Sequence, residues 1–161
     1  MRKNPARLSA LLGGACLLAG CASGPQTQAL APAGFDRVTV GGELRQRIER
    51  NFDRLETDYY QPDQVYWTEE QSGGWPGDKE GRTILALVLD AQASGRTPLY
   101  LDELIRRLPR ELNAKGYLGS ILEGSADEQQ LSGHGWLLRG LCEYYAWKKD
   151  PQVLEIARGI V

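Results

Sequence analysis

Within residues 42–60, Leu44, Ile48, Phe52, Leu55 and Tyr59 recur at intervals of four, four, three and four. That period places them on one face of an α-helix and excludes a strand, whose apolar residues alternate. The period returns along the chain. A second helix is predicted over residues 80–93. Ile84, Leu85, Leu87, Val88 and Leu89 make it apolar nearly all round, so it should be buried on more than one side. Ser94-Gly95 supplies its stop. Thr97-Pro98 reads as an N-cap and N1 proline for a third helix. That helix carries Leu101, Leu104, Ile105, Leu108 and Leu112 on one face, and Pro109 should kink or end it. A fourth is predicted from about Gly133 to Lys148. Asp150-Pro151 repeats the cap-and-proline signal, and a fifth starts at Gln152 with Val153, Leu154, Ile156, Ala157, Ile160 and Val161 on its apolar face.

No strand-type alternation extends beyond residues 36–40, so the fold class is all-α. The connections alternate between long (residues 61–79 and 113–130) and short. Helical hairpins arranged in a ring give this alternation, with the long loops gathered at one end. The expectation is therefore part of an (α/α)6 toroid. The fifth helix reaches its last apolar pair without a glycine stop. This predicts that the chain is the N-terminal part of a longer protein.

Residues 1–21, MRKNPARLSALLGGACLLAGC, read as a targeting segment. Arg2, Lys3 and Arg7 form a positive start, and Leu8 to Leu18 is an apolar run too short to span a bilayer. Leu18-Ala19-Gly20-Cys21 resembles a bacterial lipobox. Cys21 is accordingly expected to be lipidated and to hold the protein on a membrane of the cell envelope, at the outer membrane or in the periplasm. Residues 22–36 are rich in Ala, Gly, Pro and Gln and read as a flexible tether, with the domain over residues 37–161. Cys16 leaves with the signal and Cys21 serves the anchor. Cys142 then has no disulfide partner and reads as a small buried hydrophobe.

A formal net charge of −2 gives no case for nucleic-acid binding by bulk electrostatics. One histidine and one free cysteine do not make a zinc site. The chemistry-bearing residues fall in the long loops and at the helix starts that follow them: Trp75, Asp78, Glu80, Tyr117, Asp127, Glu128 and His134. Flat aromatic faces stack on the C–H faces of sugar rings, and carboxylates accept hydroxyl protons. These seven are the candidate carbohydrate-binding residues. Six of them also have a plain structural role open: a loop plug for Trp75, first-turn dipole partners for Asp78 and Glu80, a cap or solvated loop for Asp127 and Glu128, and a satisfied histidine in the first helical turn for His134. His134 shares a helix face with Leu138 and Leu141, which puts it at an inner rim. Gly133 and Gly135 beside it weaken a helix and predict a close approach of backbone or ligand.

In order along the chain stand WPGDKEGR (75–82), KGYLG (115–119), and SGHGWLLRGLCEYY (132–145), followed by Lys149-Asp150. This succession resembles the β-L-arabinofuranosidase-type glycoside hydrolases, family 127 and its relatives, over residues 37–161. The resemblance implies a six-hairpin (α/α)6 toroid with its active site at the long-loop end, and a retaining glycosidase acting on terminal arabinofuranosyl or related sugars. It implies a sugar-hydroxyl contact for His134. It places the zinc-bound cysteine nucleophile and the glutamate acid/base of full-length relatives downstream of the matched region, so no catalytic residue, metal ligand or cofactor is assigned in this chain. WPGDKEGR and GHGW depart from the commoner family wording, which leaves room for another sugar or for a two-carboxylate mechanism without zinc. Two other readings stay open: a non-catalytic helical surface lipoprotein, and a related toroid enzyme such as an unsaturated-uronide hydrolase or an epimerase.

Overall fold

The structure, a computed structural model, describes residues 33–66 and 74–161. The signal segment, Cys21, most of the tether, and residues 67–73 of the first long loop lie outside the described residues. The described part contains α1 (Gly42–Leu55), α2 (Pro62–Val65), α3 (Asp78–Ser94), α4 (Leu101–Glu111), α5 (Glu128–Lys148) and α6 (Pro151–Ile160), with 3-10 turns at Phe35–Arg37 and Asp58–Tyr60. There is no strand among the described residues, as the all-α expectation requires.

α3 is the centre of the packing. Ile84, Leu87 and Val88 are wholly buried and join Leu104, Leu108, Leu137, Leu141 and Val153 in one core. α5 lies along α3 at backbone contact, because both helices offer glycines there. A Cβ on Gly81 would sit 2.2 Å from the Leu137 nitrogen and the Trp136 carbonyl carbon. A Cβ on Gly133 would sit 2.1 Å from the Pro76 carbonyl oxygen, and one on Gly140 2.6 Å from the Gly81 oxygen. The matched positions climb together along both helices, so α3 and α5 run parallel. α1 runs the other way along α3, its Arg45 donating to the Ser94 carbonyl at 3.1 Å and its Asn51 to Asp90 at 2.6 Å. α4 carries the chain back between the parallel pair, and α6 folds back on α5 through Lys149-Asp150. Residues 74–77 before α3 and the loop before α5 therefore meet at one end, and the short connections lie at the other.

Several boundaries differ from the periodicity. α1 stops at Leu55 rather than reaching Tyr60, because Thr57 and Gln61 turn extended and Pro62 opens α2. Tyr59 is consequently exposed. Leu44 is exposed as well, since Arg45 already lies level with the last residue of α3. α4 begins at Leu101, not after Thr97. The Leu99 N–H donates to the Glu56 carboxylate at 3.0 Å, which fixes residues 97–100 as a turn. Pro109 does not end α4, which runs to Glu111. Proline removes only its own bond back to Ile105, and the helix has little length left to lose.

α5 starts earlier than expected, at Glu128. The Asp127 carboxylate accepts from the Gln129 and Gln130 N–H groups at 2.8 and 3.0 Å, so this N-cap, and not the glycines, sets the helix start. Asp127→Ala is expected to cost about 1 kcal/mol in urea unfolding, and Asp127→Asn, which can still cap, a few tenths at most. Asp150 caps α6 as expected, accepting from Gln152 at 2.9 Å, with Pro151 at N1. Cys142 departs from expectation: it is exposed on α5 and not part of the core.

Candidate functional site

Asn113 folds the loop that leads to α5. Its backbone N–H donates to the Tyr117 carbonyl at 2.8 Å, and its side-chain amide donates to the Gly119 carbonyl at 2.8 Å. Gly116 and Gly119 make the turn possible with φ of 87° and 94°. The loop then lies against Pro76, which a Cβ on Gly119 would strike at 2.6 Å. This fold carries the Leu118 carbonyl to His134, whose Nε2 lies 2.8 Å from it. With Nε2–H donating there, Nδ1 is the ring nitrogen left for a second partner, an acceptor when it carries no proton. Tyr117 meets the same ring edge to face at 5.5 Å between centroids.

His134 is thus in the second turn of α5 rather than at its start, and it is buried. Of its two glycine neighbours, Gly133 is the close approach that the sequence suggested. Gly135 is exposed and has open space around it. One side of His134 borders a cleft of about 210 Å³, shared with Tyr117, Leu122, Asp127, Gln130 and Ile160. That is below the range of closed small-molecule sites and suits one ring at an open rim. Gln130, which the sequence did not single out, is held by donation to the Ser120 carbonyl at 3.1 Å. Asn113 was also missed, since nothing in its local pattern marks a loop-organising amide.

The other candidates lie elsewhere. Trp75 is 43% exposed beside α3 and does not line this cleft. Glu128 is an exposed first-turn residue outside the lining. Asp78 pairs with Arg82 at 2.9 Å and borders a separate groove toward α1. Glu80 is buried under the start of α3, where its carboxylate accepts the Gly77 N–H at 3.0 Å. Gly77 has φ of 90° and no side chain to answer with, so Glu80 alone closes this cap. Burial pushes the Glu80 carboxyl up to about 7, against the pull of its hydrogen bonds to the Glu80 and Gly77 backbone and the nearby Lys79. Tyr66, whose hydroxyl donates to the Leu104 carbonyl at 2.7 Å, is raised by burial and by the Glu80 charge.

Among the described residues no three His, Cys, Asp or Glu side chains gather as metal ligands. The zinc that the resemblance implies for longer relatives finds no ligand set there: His134 is buried and bonded to a carbonyl, and Cys142 is exposed further along α5. No helix among the described residues is long and apolar enough to cross a membrane. Compared with known proteins, the chain matches no family model, no curated protein and no solved structure.

Proposed function

We propose that the cleft around His134 is a sugar-contacting wall of a six-hairpin, glycosidase-type toroid anchored in the cell envelope through Cys21. The observation that carries this reading is the meeting of Tyr117, Asp127, Gln130 and His134 at the end where residues 74–77 meet the loop before α5. The parallel pair α3 and α5, joined by a helix running back, is the arrangement that successive inner helices of such a ring require. In the cleft, Nδ1 of His134 accepts a sugar hydroxyl, Asp127 and Gln130 offer further polar contacts, and the Tyr117 ring gives an apolar face. On this reading the bond-breaking groups lie outside the cleft. Glu80 is buried and committed to its cap, and Asp127 is committed to α5, so among the described residues no pair of free carboxylates faces the cleft.

The test is binding of a panel of neutral sugars, L-arabinose and arabinofuranosides included, to the intact protein, followed by NMR. His134→Ala is expected to weaken binding about tenfold, the loss of one well-placed hydrogen bond. It also leaves the Leu118 carbonyl without a partner, so a stability loss of about 1–2 kcal/mol is expected with it. Asp127→Asn separates the two effects, because it keeps the cap while changing the cleft. Wild-type affinity in both variants would remove the assignment. Binding without hydrolysis by the full-length protein would favour the non-catalytic module. For the anchor, Cys21→Ala is expected to move the protein from the membrane fraction to the soluble one.

A further inference from the structure

On the flank of α3 facing α1 lies a second, larger groove of about 380 Å³. Arg54, Lys79 and Arg82 border it, together with Asp78, Tyr59 and Tyr60. Asp78 is spent on Arg82. The other two cations donate only to neutral partners among the described residues. Arg54 donates to the Asn51 side-chain oxygen at 3.0 Å and to the Tyr60 hydroxyl. Lys79 donates to the Gln64 carbonyl at 2.6 Å and lies 4.4 Å from the Tyr59 ring centre. Arg82 is stacked on Trp136 at 4.3 Å. Arg54 and Lys79 are therefore held in place by rings and neutral groups, and with three cations to one carboxylate the groove lining is net positive. Burial lowers the Lys79 ammonium from its ordinary range against the opposing charge of Glu80, and an incoming anion would offset that cost further.

We propose that this groove binds an acidic sugar residue, its carboxylate between Arg54 and Lys79 and its ring C–H face against Tyr59. A carboxylate answers the two cations that lack an ion-pair partner among the described residues, and the exposed Tyr59 ring answers the apolar face of a pyranose. A phosphate would satisfy the cations but leave the tyrosine face unused. This site is distinct from the His134 cleft, and the inference does not rest on the reading given for that cleft.

The test is calorimetric titration of the intact protein with galacturonate, galactose and inorganic phosphate at low salt. Galacturonate is expected to bind about tenfold more tightly than galactose, and the preference to shrink as salt is raised. Lys79→Gln and Arg54→Gln are each expected to lower galacturonate affinity about tenfold and to leave galactose affinity unchanged. Lys79 sits at the rim, so its variant reports on binding even if Arg54→Gln disturbs the packing against Tyr60. Equal affinity for the two sugars, wild-type galacturonate binding in the Lys79 variant, or phosphate binding without galacturonate binding would each overturn the proposal.

Discussion

Gly81→Ala should be among the most damaging single-atom additions to this protein. Two effects oppose each other. Alanine is the better helix former by about 1 kcal/mol. Against that, the added Cβ would lie 2.2 Å from backbone atoms of Trp136 and Leu137, which have no rotamer to change. Overpacking a well-packed interior costs roughly 1–3 kcal/mol, and more where backbone must move. The steric effect wins, and a net loss of about 2–3 kcal/mol is expected, seen as a melting temperature lower by roughly 10 °C. Gly135→Ala is the matched control. It lies on the same pair of helices in open space, so it should gain up to about 1 kcal/mol. If both variants melt alike, the α3–α5 contact is not where the structure places it.

Glu80 should make stability fall as pH rises through the weakly acidic range. Its carboxyl is raised from 4.5 to about 7 in the folded protein, so the folded state holds the proton more tightly than the unfolded chain. Below the unfolded value both states are protonated and there is no penalty. Between about 4.5 and 7 the unfolded chain releases its proton first and stability declines, and above 7 the full penalty stands. Each tenfold difference in proton affinity between the two states is worth about 1.4 kcal/mol, so the whole penalty amounts to about 3 kcal/mol. Glu80→Gln keeps the shape and an acceptor for the Gly77 N–H but cannot titrate. Urea unfolding from pH 4 to pH 8 should show the variant gaining on the wild type by that amount. Parallel curves would mean that Glu80 is more accessible to water than its surroundings indicate.

The helical class could be read from the sequence, because it follows from periodicity, and the connection lengths pointed to the end where residues 74–77 meet the loop before α5. The Ile84–Val88 stretch announced a helix covered on several sides, and α3 is the central one. Boundaries were harder. Residues 128–132 carry no apolar period, so only the Asp127 cap marks the true start of α5, and a cap is a weaker signal than a stripe. The candidate site divided in the same way. Tyr117, Asp127 and His134 were found and do come together. Glu80 has the same side chain whether it faces a cleft or a helix cap, and only the turn at Gly77 decides. Cys142 sits between Leu141 and Glu143, ahead of two tyrosines, and its angular position on α5 turns it outward.

The glycine contact between α3 and α5 also sets an order of events at the ribosome. The backbone that Gly81 needs beside it is synthesised more than fifty residues later. Until α5 emerges, α3 carries its apolar sides without their permanent cover, in the condition in which nascent chains associate wrongly. Closing that long-range contact is therefore a late step that local helix formation cannot hasten. A nascent chain stalled before Gln130 should remain protease-sensitive through α3, and one released after Lys148 should not.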